Sequence, residues 1–301
     1  MTLLHVTADG CIWRPRDAAA PDLAALLDRL PEEQPVPILI HGYRYAPGSR
    51  HDDPHDLIFA DAPRTPCGHL GWPHHLGFRS GDGGLCIGFG WNALGSIWRA
   101  RAEAARAGLA LAALVTRIRS LSPRRRITVL AHSLGARVLV SALPAVDGGD
   151  IARAVLLVPA VLRSEARQAI ATAGGRSCEI VNVTTAQNRP FDRAFELLVA
   201  AGLARSAGRG LGLPGGGRWF DLALDDPGQR ARLARLGFAV PDPERRICHW
   251  SSYQRAPLFD LYRALLAEPA GRGLHPAQLH PVGHGAETAP CTAIENGVNY
   301  A

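Results

Sequence analysis

Two rhythms of apolar and polar positions run along this chain: short runs of branched residues, and longer stretches with apolar positions three or four apart. Leu4, Val6 and Ala8 alternate with His5 and Thr7, Asp9-Gly10 supplies a turn, and Cys11-Ile12-Trp13 returns, which predicts a hairpin over residues 3–14. Leu23, Leu26, Leu27 and Leu30 predict a short amphipathic helix over 21–30. Residues 36–40 and 85–91 read as buried strands, the first ending in His41-Gly42-Tyr43. A long helix is expected from about 92 to 121, with Leu111, Leu114, Val115, Ile118 and Leu121 on one face. The alternation then repeats: strands to Ser133, over 154–158 and over 178–184, with helices after Ser133 as far as Pro144 and over 164–173, 193–204 and 258–266. Short apolar strands separated by helices predict an α/β protein whose central sheet is mostly parallel, with helices on both faces. Two stretches fall outside the pattern. Residues 46–84 are rich in Pro, Gly, His and Asp and read as a lid-like insert, and 269–301 read as an irregular tail.

A chain of 301 residues fits one such domain spanning 1–301. No apolar run approaches the roughly 20 residues of a membrane span, so stable membrane insertion is not expected. The start of the chain lacks a basic region followed by an apolar stretch, and a cytoplasmic location is expected. The net charge of +6 invites a nucleic-acid reading, but all 33 basic residues are arginines, scattered and not interleaved with aromatics. That is compositional bias, and no nucleic-acid partner is expected. The six cysteines include no CxxC pair, which argues against a zinc finger or a compact disulfide scaffold.

The chemistry concentrates at Ala131-His132-Ser133-Leu134-Gly135. A strand arrives, small residues stand two before and two after the serine, and a helix leaves: the layout of a nucleophile elbow. A serine hydroxyl is a poor nucleophile at neutral pH and needs a base, with a third group orienting that base. Of the histidines after Ser133, His275, His280 and His284 lie in the tail, whereas His249 stands just before the last helix and is the expected base. Asp192 is the first acid after the 178–184 strand and is the expected orienting group. Asn188 is the fallback, because a neutral amide also orients an imidazole, and Asp221, Asp225 and Asp226 rank behind. The backbone N–H groups of Tyr43 and Leu134 are the expected oxyanion donors.

His41-Gly42-Tyr43, Gly88-Phe89-Gly90-Trp91, the Ala-His-Ser-Leu-Gly elbow and the late His249 together resemble the α/β-hydrolase superfamily. More narrowly, they resemble a bacterial esterase/lipase-like family of unknown physiological role, over residues 36–266. The resemblance implies an α/β-hydrolase fold and a serine hydrolase that cleaves a small-molecule carboxylic ester through an acyl-enzyme, with no cofactor. This sequence departs from the family at both usual acid positions: Pro-Asp appears as Pro159-Ala160, and Asn-Asp as Asn188-Arg189.

Other readings compete. A non-catalytic binding module on a hydrolase scaffold fits the displaced acid, and an acyltransferase would leave the same signature. A metal-dependent enzyme would draw on His51, Asp52, Asp53, His55, Asp56, His69, His74 and His75, but no HExxH spacing is present.

Overall fold

The computed structural model describes residues 2–78, 84–213, 217–267 and 274–279. Eight strands form one sheet: β1 (Thr2–Asp9), β2 (Ile12–Pro15), β3 (Val36–Ile40), β4 (Leu85–Gly90), β5 (Ile127–His132), β6 (Arg153–Leu157), β7 (Glu179–Thr184) and β8 (Trp219–Ala223). Their order is β2-β1-β4-β3-β5-β6-β7-β8. Among the described strands of the sheet only the β1–β2 pair is antiparallel, in the expected N-terminal hairpin, where Gly10 takes the φ of +61° that the turn requires. Nine α-helices are described: α1 (Leu23–Asp28), α2 (Trp72–His75), α3 (Ile97–Leu121), α4 (Gly135–Ala142), α5 (Arg163–Ile170), α6 (Ala173–Ser177), α7 (Arg189–Ala200), α8 (Pro227–Arg235) and α9 (Leu258–Leu266).

Strand alternation sorts the side chains into two cores. Ile38, Ile40, Val129, Ala131 and Leu156 face one layer, which includes α1, α3 and α4. Leu39, Leu130, Val155, Leu157 and Val181 face the other, which contains α9. Helix α3 starts later than expected because Ser96 caps it, its hydroxyl accepting from the Arg99 N–H. Strand β8 and helix α8 were not anticipated: Trp219-Phe220-Asp221-Leu222-Ala223 carries an aspartate mid-strand that hides the pattern.

The insert is more than a lid. Within it Phe59 and Trp72 are fully buried, and Ile58, Leu70 and Leu76 join them in the second core beneath Leu39 and Cys86. The Trp72 ring meets Phe59 edge-on at 5.8 Å and Tyr253 at 5.0 Å, and the Trp72 backbone N–H donates to the Ile58 carbonyl at 2.7 Å. Trp72→Ala should therefore cost about 3–5 kcal/mol, as core truncations of a large aromatic do. Urea denaturation measures this, and a loss below about 1 kcal/mol would return the segment to a peripheral cover. Residues 79–83 of the insert lie outside the described residues, as does the expected tail apart from 274–279. That short piece is pinned by the buried Arg153, whose guanidinium bonds Glu179 at 2.6 Å and the carbonyls of Leu265 and Leu274 at 2.7 and 3.0 Å.

The sheet order also locates a crevice. From β3 the chain moves to β4 on one side, then crosses through α3 to β5 on the other. The carboxyl ends of β3 and β5 thus lie side by side where the winding reverses, the usual ligand-binding position in an open parallel sheet.

Candidate active site

Both motifs end at that crevice. Beyond β5, Ser133 adopts φ +52°, a left-handed conformation that costs a non-glycine residue on the order of 1–3 kcal/mol. Its surroundings hold it there: the Ser133 N–H donates to the Leu157 carbonyl at 2.9 Å, and its carbonyl accepts from Ala136 and Ala160. The small residues serve close approach. A Cβ on Gly135 would stand 2.4 Å from the His41 carbonyl oxygen, and one on Gly42 would stand 3.0 Å from the Ser133 Cβ. The loop after β3 and the elbow are therefore in direct backbone contact.

His41 shapes that loop from below. It is fully buried and stacked on Trp91; its Nδ1–H donates to the Gly42 carbonyl at 2.9 Å, and its Nε2 accepts from the Trp91 N–H at 2.9 Å. Burial pushes its pKa down to about 3, so the ring stays neutral. The turn continues through Arg44 at φ +73°, whose N–H bonds the Ala93 carbonyl. Among the described residues, neither the Tyr43 nor the Leu134 N–H donates to a protein acceptor. Both residues line the cleft at Ser133, where oxyanion donors would have to stand.

His249 reaches the serine as expected. Its Nε2 lies 2.8 Å from the Ser133 Oγ, so the neutral ring accepts there and carries its proton on Nδ1. It comes from an irregular segment and not from a strand end. Two contacts fix it. The His132 Nε2–H donates to the His249 carbonyl at 3.2 Å, and the Cys248 N–H donates to the Gln187 carbonyl at 3.2 Å. Burial lowers the His249 pKa to about 4 and holds that of His132 well below the ordinary value. Nothing in the sequence motif signalled that the histidine before the nucleophile would anchor the backbone of the other one.

The expected orienting group is corrected. Nδ1–H of His249 donates to the Asn188 Oδ1 at 2.6 Å, so the fallback residue occupies the position assigned to Asp192. The reason is where α7 begins. It was expected at 193 but starts at Arg189, so Asn188 caps the turn facing the histidine and Asp192 is carried one helical turn away. There Asp192 is buried, and its Oδ1 accepts from the Ser206 hydroxyl at 3.1 Å. Asp225 holds the turn that presents Asn188, accepting from the Ala186 N–H and, at 3.0 Å, from the Gln187 side chain. Asp221 is spent on the Leu211 and Gly212 amides, the Asn182 amide and the Trp219 ring.

A cleft of about 910 Å³ opens over Ser133 and His249. One wall is apolar, made by Ile97, Trp98, Phe191, Phe195 and Leu198 of α3 and α7. The other carries Arg44, Tyr45, His51, Asp52 and His69, mostly from the insert. A smaller crevice of about 560 Å³ beyond β7 and β8 touches neither Ser133 nor His249. Among the described residues, no group of three or more His, Cys, Asp or Glu is placed to hold a metal ion, and no helix is long and apolar enough to cross a membrane. Asp53, one of the ligands weighed above, instead accepts from the Gly48 and His55 amides and pairs with Arg16.

No curated protein matches the chain. Residues 74–203, which include the elbow, α3 and Asn188, match the model of an alpha/beta hydrolase family of unknown function (DUF900). With the eight-stranded, mostly parallel sheet and the strained elbow serine beyond its fifth strand, that match over part of the chain supports an α/β-hydrolase fold.

Proposed function

We propose that the protein is a serine hydrolase that cleaves carboxylic esters through an acyl-enzyme on Ser133. The observation that carries this reading is the continuous pair of contacts on the two His249 nitrogens, to Ser133 and to Asn188. In the reaction the Ser133 Oγ attacks the ester carbonyl while His249 Nε2 takes its proton. The carbonyl oxygen, now negative, is met by the N–H groups of Tyr43 and Leu134. The intermediate collapses as Nε2–H protonates the departing alcohol, leaving the acyl group on Ser133. Water, deprotonated by the same nitrogen, then attacks the acyl-enzyme and releases the acid. Asn188 keeps the proton on Nδ1 throughout, so that Nε2 remains the acceptor. A neutral amide fixes this tautomer but offers the imidazolium less stabilisation than a carboxylate.

The cleft supports an ester with an apolar acyl chain against Phe191, Phe195 and Leu198, and a polar alcohol toward His51 and Asp52. A fluorophosphonate probe followed by a panel of esters tests both parts. One label per chain and a preference for apolar acyl groups are expected. No labelling of the folded protein at neutral pH would remove the serine-hydrolase reading.

A further inference from the structure

Asn188 poses a problem that a carboxylate in its place would not. A carboxylate presents oxygen whichever way it turns, but an amide presents oxygen on one side and NH₂ on the other. With its oxygen toward His249, Asn188 keeps the proton on Nδ1. Flipped, its NH₂ would donate to Nδ1, the ring proton would move to Nε2, and Nε2 could no longer accept from Ser133.

Something must hold the amide the productive way round, and Asp192 is placed to do so. It lies four residues after Asn188 at the opening of α7, the spacing at which side chains on one helix face meet. The Asn188 amide adjoins its carboxyl and favours the charged form. The carboxylate is fixed in turn by the Ser206 hydroxyl and packed against Gly208, where an added Cβ would stand 2.3 Å from Oδ1. Its Oδ2 is buried without a strict hydrogen-bond partner, leaving acceptor capacity for the amide.

Building on the serine-hydrolase reading, we infer that Asp192 is a positioning residue: its carboxylate selects the orientation of the Asn188 amide and, through it, the tautomer of His249. The influence passes from Asp192 to Asn188 to His249 to Ser133, and Asp192 touches neither the substrate nor the imidazole.

Two consequences separate this from a structural role. Burial, the largest cause, raises the Asp192 pKa to about 6; Glu196 on the same helix raises it further, while Ser206, Asn188 and Arg209 pull it down. Once protonated, the carboxyl donates as readily as it accepts and the orientation is lost. The rate should therefore fall as pH drops through about 6 and not only near 4, where His249 itself protonates. The second consequence concerns stability. A carboxyl whose folded pKa exceeds its unfolded one stabilises the fold when protonated, an effect lost as pH rises through about 6, so ionised Asp192 is a burden at neutral pH.

Asp192→Asn should accordingly raise Tm at pH 8 while lowering kcat about tenfold or more, with KM unchanged and the acid limb of its residual rate moved toward pH 4. The exchange of both residues, Asn188→Asp with Asp192→Asn, puts a carboxylate directly on Nδ1 and should return kcat to within about threefold of the original. Unchanged kcat and pH profile in Asp192→Asn would overturn the inference. So would a kcat loss that comes with a lower Tm and is not restored by the exchange, since Asp192 would then only brace the fold. If instead the unaltered protein neither takes the probe nor turns over esters, the serine-hydrolase reading has failed, and the inference built on it falls at that earlier step.

Discussion

Ser133→Ala is expected to abolish fluorophosphonate labelling and to lower ester turnover by about 10⁶-fold, the scale on which removing a triad nucleophile acts. The argument rests on geometry at one atom. The Ser133 Oγ is the group in contact with His249 Nε2, and Tyr43 and Leu134 line the same cleft. Among the described residues no other hydroxyl bonds the His249 Nε2, so no neighbour is placed to take over. Stability should change by less than about 1 kcal/mol, because alanine keeps the same backbone and leaves a hole the size of one oxygen. Ser133→Gly should be equally inactive but more stable, because glycine adopts φ +52° without strain. Stopped-flow turnover with thermal denaturation of both variants checks this. Labelling that persists in Ser133→Ala would move the nucleophile elsewhere.

Asn188→Ala should lower kcat about 10³-fold with little change in KM. Removing the amide leaves the Nδ1–H of a half-buried imidazole without its acceptor and frees the ring to turn or to change tautomer. In a related triad, replacing the orienting carboxylate with an amide costs about 10⁴-fold. That triad's normal state includes a charge which Asn188 does not supply, so a smaller loss is expected here. The contact lies on the side of the ring away from the cleft, and substrate binding should be spared. Active-site titration with single-turnover kinetics separates the two effects. A rise in KM at constant kcat would mean that Asn188 shapes the pocket and does not orient the base.

Much of this was legible in the sequence, for reasons that can be located. The strands leading to Ile40 and Ser133 are buried on both faces, so they read as mostly apolar runs, and the elbow needs small residues that the sequence displays openly. His249 could be found because few histidines follow Ser133. The orienting residue was harder. Choosing Asp192 over Asn188 depended on whether α7 begins at 189 or 193, and Pro190 at its second position was the unused signal that it begins early. The insert misled for a different reason. Its buried residues, Ile58, Phe59, Leu70, Trp72 and Leu76, are too irregularly spaced to form a periodic pattern, although together they join α9 in covering one side of the sheet.

That double use of the insert sets how the cleft can diversify. The segment that packs Phe59 and Trp72 against the sheet is the same one that lines the cleft with His51, Asp52 and His69. Exchanging it wholesale for another loop would remove a layer of the interior along with the wall. The opposite wall carries no such debt at its rim, where Trp98, Phe191 and Leu198 remain substantially exposed. Divergence among relatives, and selection in the laboratory, should therefore run asymmetrically: the exposed rim on α3 and α7 drifts readily, while the insert side changes only by single residues that leave the aromatic floor in place.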